Sequence, residues 1–308
     1  MSRSARGRVV AVVGPTAAGK SALGLALADT LGGEVVNADS MQLYRGMDIG
    51  TAKLTVAERR GIPHHLLDRW DVTHPASVAE YQQDARAVVD RLLAAGRTPV
   101  LVGGSGLYVR AVLEELDFPG TDAAVRARLE AELAERGPGA LHAELARVDP
   151  AAAAAILPAN GRRIVRALEV VEITGRPFTA RLPDPRPVYD AVQVGLDLDP
   201  AVLDERIAAR VDHMWELGLV DEVRALEPLG LRAGRTASRA LGYAQVLRFL
   251  DGELAEEEAV RLTVQQTRRF VRRQRAWFGR DRAVRWLDPT APDVVARALD
   301  LVRHSSPP

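Results

Sequence analysis

Near its start the chain reads Arg8-Val9-Val10-Ala11-Val12-Val13-Gly14-Pro15-Thr16-Ala17-Ala18-Gly19-Lys20-Ser21. The apolar run before Gly14 is typical of a buried parallel strand. The next eight residues match the pattern Gly-x-x-x-x-Gly-Lys-Ser/Thr, known as a P-loop, and a helical pattern follows them. In a P-loop the backbone N–H groups and the helix N-terminus bind phosphate oxygens, the lysine neutralises them, and the hydroxyl can bind Mg²⁺. The sequence therefore predicts a site for a diphosphate or triphosphate group, as in ATP-binding and other nucleotide-binding proteins.

Beyond this motif, short apolar runs alternate with helical patterns. Strands are predicted at 34–38, 98–102 and 191–196, and helices at 20–31, 77–95, 200–226 and 255–278, the last of the chain. Such alternation is typical of a doubly wound parallel sheet, whose ligands bind at the carboxyl ends of the strands. From about 122 to 180 the pattern is purely helical, and the proline-rich stretch 182–187 closes it. We therefore predict an α/β fold with a P-loop NTPase-like parallel sheet core, formed by 1–117 and 188–308, and an all-helical insertion domain at 118–187.

Composition limits the class of protein. The chain has 308 residues, of which 47% are hydrophobic, enough for a large core without special cross-links. It has no cysteine, which excludes disulfides, thiol nucleophiles and cysteine-ligated zinc, and which fits a reducing cytoplasm. The short basic N-terminus is no signal peptide, and no apolar run approaches the ~20 residues of a membrane span. We expect a cytoplasmic protein that does not contact membranes.

The charges balance but are unevenly distributed. There are 41 basic and 41 acidic residues, and only Lys20 and Lys53 among the basic ones are lysines, against 39 arginines. Lysine retained in so arginine-rich a chain indicates positions that need a compact ammonium rather than a planar fork. Nine arginines and one aspartate lie within 261–285, and 162–166 read Arg-Arg-Ile-Val-Arg. Both stretches can follow a nucleic-acid backbone, although such runs are more often solvated faces.

Three further features point into the predicted crevice. Asp39 ends the second strand beside the phosphates, where a carboxylate can accept a proton, hold a metal or cap a helix. Gly103-Gly104-Ser105-Gly106 follow the third strand, and because no carboxylate stands there we expect room for a substrate rather than an NTP hydrolase site. Arg210 lies on the 200–226 helix, where it can stabilise a leaving group or belong to a solvated basic face.

Together these motifs resemble the tRNA dimethylallyltransferases (adenosine-37 isopentenyltransferases) of the bacterial type. The similar blocks run in family order: 14–21, the 39–53 block Asp-Ser-Met-Gln-Leu-Tyr-Arg-Gly-Met-Asp-Ile-Gly-Thr-Ala-Lys, 103–108, 161–169, 241–245 and 273–278. They cover nearly the whole chain, and the 39–53 block is far more specific than the P-loop. Ser21 and Ser105 stand where the family often has threonine, so a hydroxyl is kept at both. The zinc finger of eukaryotic members is absent.

The resemblance implies transfer of a dimethylallyl group from dimethylallyl diphosphate to N6 of adenosine 37 in tRNA, which gives N6-isopentenyladenosine and diphosphate. Asp39 would accept the N6 proton, Arg210 would stabilise the departing diphosphate, and the P-loop would bind it with Mg²⁺ at Ser21. The anticodon stem-loop would be bound by the insertion and by a set of dispersed residues, and the enzyme would act as a monomer. These residues are Asp39, Ser40, Met41, Gln42, Ser105, Arg126, Arg162, Arg163, Ile164, Val165, Arg166, Ser238, Arg239, Gly242, Tyr243 and Gln245.

Three other functions fit parts of this pattern. A prenyltransferase that acts on a free adenine nucleotide would share the P-loop and Asp39, but it would not need the arginine-rich stretches. A nucleoside or metabolite kinase would use the P-loop and consume ATP. An RNA-binding regulator with a vestigial P-loop would not depend on Lys20. A diphosphate leaving group explains a P-loop that has no hydrolytic carboxylate beside it, which favours a prenyltransferase over a kinase. The arginine-rich stretches favour tRNA over a free nucleotide as the acceptor.

Overall fold

The computed structural model describes residues 7–178 and 184–304. Of the proline-rich stretch 182–187, residues 182 and 183 lie outside the described residues. The chain divides into two compact units, the first formed by Met1–Glu114 with Pro187–Pro308 and the second by Glu115–Arg186. Within the described ranges, no helix combines the length and the apolar character needed to cross a bilayer.

The first unit contains a sheet of six parallel strands, which confirms the predicted fold class. The strands are β1 (Val9–Val13), β2 (Glu34–Asn37), β3 (His64–His65), β4 (Pro99–Gly103), β5 (Ala191–Leu196) and β6 (Val284–Leu287). Their order is β3-β2-β4-β1-β5-β6. Val12 of β1 pairs with Val102 on one side and with Val194 on the other. All five residues of β1 are buried, as expected of a central parallel strand covered on both faces. The P-loop therefore begins in the middle of the sheet.

Helices cover both faces of this sheet. They are α1 (Lys20–Thr30), α2 (Val78–Ala94), α3 (Gly106–Leu113), α7 (Pro200–Glu216), α8 (Leu219–Leu226), α9 (Tyr243–Leu250), α10 (Glu256–Phe278) and α11 (Val294–His304). One buried cluster includes Leu43, Tyr81 and Phe278, and a second, on the opposite face of the sheet, includes Leu27, Ile207 and Val271. Together the two clusters hold α10 against the rest of the unit.

Helices α3 and α9 were not predicted, and the structure differs from the predicted elements in three further places. The helix predicted at 200–226 is two helices, because Gly218 adopts a left-handed conformation with φ of 93° that an α-helix cannot include. Strand β3 was not predicted because two residues are too few to show a period, and β6 was not predicted because the charged Arg285 interrupts its apolar run. The helix predicted as the last one is followed by α11, whose buried residues Ala298 and Val302 join the second cluster.

The second unit has only helices as regular elements among its described residues. They are α4 (Ala123–Val148), which is interrupted by the non-helical Gly137 before Pro138, α5 (Pro150–Ala155) and α6 (Gly161–Thr174). Leu129, Leu141 and Ile164 belong to its separate hydrophobic core. The carboxylate of Glu169 is fully buried and accepts hydrogen bonds from Arg126 and Arg166. A buried charge needs such partners, so this cluster is part of what holds α4 to α6.

Candidate active site

The P-loop leaves the central strand β1 and wraps round to the N-terminus of α1. Gly14 has φ of 134°, and a side chain there would collide with the Leu196 carbonyl on β5. Ala17 takes a left-handed φ of 67°, which is rare outside glycine and concentrates at ligand sites. No side chain caps α1 and its first turn carries no acidic residue. Its first N–H groups and the positive end of the helix dipole therefore suit an anion.

The ammonium of Lys20 lies inside this loop. Its Nζ donates a hydrogen bond of 2.6 Å to the Pro15 carbonyl. Burial, reinforced by the charge of Arg210, lowers the pKa of Lys20 to about 8, while the charge of Asp39 opposes the shift. The pKa of Arg210 is lowered by burial as well, again with Asp39 opposing. The structure thus brings together the three charged residues that the sequence singled out on separate segments.

Asp39 is fixed by its neighbour Asn37, the last residue of β2. The Asn37 side chain accepts from the Asp39 N–H at 2.9 Å and donates to the Asp39 carbonyl at 2.9 Å. One carboxylate oxygen of Asp39, Oδ1, accepts from the Met41 N–H at 2.9 Å. The Oδ2 atom has no hydrogen-bond partner among the described residues. Asp39 is therefore held by its backbone and one oxygen, which leaves the other oxygen available to take a proton.

Two tyrosines whose rings pack at a tilt support this strand end. The rings of Tyr81 and Tyr108 lie 4.5 Å apart, and the Tyr81 hydroxyl donates to the Asn37 carbonyl at 2.8 Å. Burial is the main cause that raises the pKa of both tyrosines, and the negative charge of Asp39 adds to it. Both phenols therefore stay neutral at physiological pH, and they give Asp39 an aromatic, poorly hydrated side.

The second lysine, Lys53, is structural. Its Nζ donates to the Tyr44 carbonyl at 2.9 Å and to one carboxylate oxygen each of Asp48 and Asp68 at 2.6 Å. Its side chain is only 2% exposed. Three acceptors around one ammonium explain why lysine is kept here, since the planar fork of arginine cannot direct its donors in this way. Lys53 therefore joins the end of the 39–53 block to Tyr44 and Asp48 within the same block.

The far end of the same block is held by Glu222 of α8. The carboxylate accepts from the N–H groups of Asp48 at 3.0 Å and Ile49 at 2.7 Å. It also accepts from the Gly50 N–H at 3.2 Å and from the hydroxyl of Tyr243. Next along the chain, the Thr51 carbonyl accepts from Arg210 at 3.4 Å. Glu222 therefore fixes the segment against which Arg210 rests.

The glycines after β4 do not make room for a substrate, and that expectation was wrong. An added Cβ at Gly103 would collide with the backbone of Ala38, at Gly104 with Nε2 of Gln274, and at Gly106 with Nε1 of Trp277. The space is filled by the end of β2 and by α10. Ser105 in the same turn accepts from the Ser40 N–H at 3.2 Å, so it holds the residue after Asp39.

The predicted tRNA-binding residues of the first unit divide into two groups. Asp39, Ser40, Met41, Gln42 and Ser105 lie partly exposed around the strand ends, while Arg239 is exposed and Ser238 partly so. Tyr243 and Gln245, by contrast, are buried, and Gln245 bonds Gln266 and the N–H of the buried Gly242. Direct RNA contact by these two side chains is not available in this structure. They can only support exposed neighbours.

The predicted tRNA-binding residues of the second unit divide in the same way. Arg162 and Arg163 are exposed on the first turn of α6. Ile164 and Val165 are buried in the core of that unit, so their side chains cannot reach RNA in this structure. Arg126 and Arg166 are bonded to Glu169, and Arg166 also donates to the Pro119 and Gly120 carbonyls. Of these six predicted residues, Arg162 and Arg163 are the two whose side chains are exposed and so accessible to a phosphate.

Sequence reasoning assigned no function to three residues that shape the site: Asn37, Glu222 and Gln274. Asn37 is a polar residue at the end of an apolar strand, and this pattern could have been used to predict a role for it at the site. Gln274 lies in the 273–278 block that carried the family resemblance, but no role followed from it. Nothing in the sequence around Glu222 distinguishes it from the other acidic residues of an amphipathic helix.

Known proteins are similar to this chain over most of its length. A family model described as IPP transferase matches residues 42–281. The tRNA dimethylallyltransferase of Salinispora arenicola (strain CNS-205) is 72% identical over 302 residues, covering 98% of this chain and 88% of that protein. The crystal structure of the full-length tRNA isopentenylpyrophosphate transferase from Bacillus halodurans aligns with TM-score 0.71 and 42% identity, over 96% of this chain and 94% of that one.

A eukaryotic dimethylallyltransferase acting on tRNA aligns with TM-score 0.82 over 97% of this chain and 80% of that chain. At 24% identity this likeness bears on the fold alone. The family model spans most of the chain, and the relative from Salinispora is similar over nearly all of it. The chain therefore belongs to the IPP transferase family, as its motifs predicted.

Proposed function

We propose that this chain is a tRNA dimethylallyltransferase that transfers a dimethylallyl group from dimethylallyl diphosphate to N6 of adenosine 37, releasing diphosphate. The names of its relatives support the reaction class. The observation that carries the proposal is the meeting of Lys20, Arg210 and Asp39, two half-buried cations and one carboxylate, around the P-loop. In such a site the two cations can bind an anionic leaving group, and the carboxylate can act as a base.

Each charged group has one task in this reaction. N6 of the adenine attacks C1 of the dimethylallyl group, so an N–C bond forms while the C1–O bond breaks and its electron pair leaves with the diphosphate. Lys20, Arg210 and the N–H groups at the start of α1 stabilise that departing charge. Asp39 accepts the proton from N6, using the carboxylate oxygen that carries no other hydrogen bond. No nucleoside triphosphate is hydrolysed.

Mg²⁺ fits this site as a partner of the diphosphate. Among the described residues there is no group of three histidine, cysteine or acidic side chains that would enclose a metal. The hydroxyl of Ser21, in the exposed first turn of α1, is the protein ligand that we propose. Mg²⁺ commonly takes few protein ligands and fills its shell with phosphate oxygens and water. When bound, it would neutralise part of the diphosphate charge.

Recognition of tRNA follows the exposed subset of the predicted residues. We propose phosphate contacts for Arg162, Arg163 and Arg239 and contacts to the anticodon loop for residues 40–42 and Ser105. The target adenosine must leave its stack to reach Asp39, as is usual when a protein modifies a base. With tRNA as substrate we expect the enzyme to work in the cytoplasm, and we propose that it does so as a monomer.

The experiment supplies dimethylallyl diphosphate labelled in the allyl group, Mg²⁺ and an unmodified tRNA transcript. A transcript in which guanosine replaces adenosine 37 is the matched control. We expect label in the first transcript alone, together with one diphosphate released per label. No label in tRNA from folded enzyme would refute the proposal. Label in free AMP instead would favour the nucleotide prenyltransferase, and ATP consumption without label transfer would favour a kinase.

A further inference from the structure

The buried glutamine of α10, Gln274, has no part in the reaction proposed above, yet it touches both sides of the site. Its side-chain Oε1 accepts from the backbone N–H of Thr16, in the P-loop, at 2.9 Å. Its Nε2 donates to the Gly104 carbonyl, in the turn after β4, at 3.0 Å. The residue is 5% exposed. Because an N–H can only donate and a carbonyl can only accept, the two partners fix the orientation of the amide.

The glycine at position 104 leaves the space that the side chain of Gln274 occupies. Gly104 has no Cβ, and one placed there would overlap Nε2 of Gln274. The helix that presents Gln274 is itself held on either side of it, since Val271 and Phe278 are buried and Arg275 pairs with Asp197 at 2.8 Å. The amide is therefore delivered to its two partners by a rigid element rather than by a mobile loop.

The two contacts join the phosphate side of the site to the base side. Gly104 is followed by Ser105, whose Oγ accepts from the N–H of Ser40, the residue after Asp39. The Thr16 N–H is directed at Gln274, which leaves the later amides of the P-loop for an anion. A change at Gln274 can thus alter both the shape of the loop and its distance from Asp39.

We infer that Gln274 is a positioning residue, which sets the P-loop in its anion-binding shape and at a fixed separation from Asp39. The inference rests on the proposed function, because it assumes that the loop holds the diphosphate of the donor. It predicts that loss of the two hydrogen bonds harms diphosphate binding and the transfer step, while the binding of tRNA is kept.

The test compares Gln274→Met, which keeps the side-chain volume and removes both hydrogen bonds, with Gln265→Ala, an exposed glutamine of the same helix. Calorimetry with inorganic diphosphate and Mg²⁺ gives the affinity, single-turnover kinetics give the transfer rate, and filter binding gives the tRNA affinity. We expect Gln274→Met to weaken diphosphate binding about tenfold and to slow transfer about tenfold to a hundredfold, with tRNA affinity unchanged. Gln265→Ala should match the wild type.

A second variant, Gly104→Ala, displaces the glutamine without changing it. It should reproduce both defects, and the double variant should be no worse than either single one, because all three break the same link. If Gln274→Met or Gly104→Ala lowers thermal stability but leaves diphosphate affinity and transfer rate at wild-type values, the inference is wrong. If the wild-type chain binds no diphosphate, the proposed function fails and the inference fails with it.

Discussion

The ammonium of Lys20 lies close enough to the guanidinium of Arg210 for the charge of Arg210 to lower the pKa of Lys20. Burial is the larger cause of that shift, and Asp39 offsets only part of it. Two cations are thus held near each other in a poorly solvated place, which raises the free energy of the empty site. An arriving diphosphate relieves this repulsion. The site is electrostatically prepared for an anion that carries more than one negative charge.

The first prediction concerns pH. Because the pKa of Lys20 in the free enzyme is about 8, the lysine is charged below that pH and becomes neutral above it. A bound diphosphate favours the charged form, so binding above this pH must be accompanied by proton uptake. Affinity for a thio analogue of the donor should be flat near pH 7 and should fall by up to about tenfold per unit above about pH 8.

Calorimetry in two buffers of different ionisation enthalpy measures this uptake directly. The terminal phosphate of the donor analogue, a diphosphate ester, is already ionised above about pH 8, so a proton taken from the buffer on binding is taken up by the protein. Above the pKa, uptake should approach one proton per ligand. Affinity that stays constant across this pH range would show that Lys20 does not titrate there.

The second prediction concerns Asp39. In Asp39→Asn the amide oxygen can still accept from the Met41 N–H, so the local fold is kept, but the base is lost. The single-turnover rate of transfer should fall about 10²-fold to 10⁴-fold. Diphosphate affinity should be equal or tighter, because a negative charge near Lys20 is removed. Asp29→Asn, an exposed position on α1, is the control, and transfer at the wild-type rate by Asp39→Asn would exclude Asp39 as the base.

The third prediction separates the two lysines. Lys53→Arg should lower the free energy of unfolding by about 2–4 kcal/mol, because a larger planar group cannot serve three acceptors in a site of this size. Arg45→Lys, which alters the exposed pair with Asp71, should change it by less than about 0.5 kcal/mol. Urea unfolding measures both. If Lys53→Arg were as stable as the wild type, the compact shape of the lysine ammonium would not be required at this position.

The fourth prediction concerns Glu222. Glu222→Gln keeps one acceptor oxygen and loses the other, so the N–H groups of Asp48, Ile49 and Gly50 are held less well. Their hydrogen exchange should become about tenfold faster, and kcat/KM should fall about tenfold because Arg210 rests on the next residue, Thr51. Asp221→Asn, its exposed neighbour, should change neither. Faster exchange with unchanged kcat/KM would mean that the segment is not part of the working site.

The fifth prediction distinguishes the exposed arginines of the second unit from those that pair with the buried Glu169. Arg162→Ala should weaken tRNA binding about threefold to tenfold and reduce its dependence on salt by about one charge. Arg126→Ala should instead destabilise the helical unit by about 1–3 kcal/mol, since it removes a partner of the buried Glu169. Filter binding at several salt concentrations and thermal unfolding measure the two effects. A loss of tRNA affinity in Arg126→Ala with unchanged stability would reverse this assignment.

The sequence by itself determined the centre of the molecule. A continuous apolar run followed by the P-loop specifies β1, the phosphate loop and the start of α1, because strand burial, turn and helix dipole all act within a dozen neighbouring residues. The positions of β4 and β5 followed from the same local signal. Even the unusual pair Lys20 and Lys53 was visible, since it needed only a count of residue types.

Tertiary structure alone decided which residues complete the site. Glu222 and Gln274 reach the 39–53 block and the P-loop from helices more than a hundred residues away, and such contacts depend on strand order and helix packing rather than on local pattern. The same packing buries Ile164, Val165, Tyr243 and Gln245, although they lie in blocks that suggested RNA contact. It also fills the space beside Gly104 and lowers the pKa of Lys20. Local chemistry therefore placed the anion site, while long-range packing set its shape and its charge.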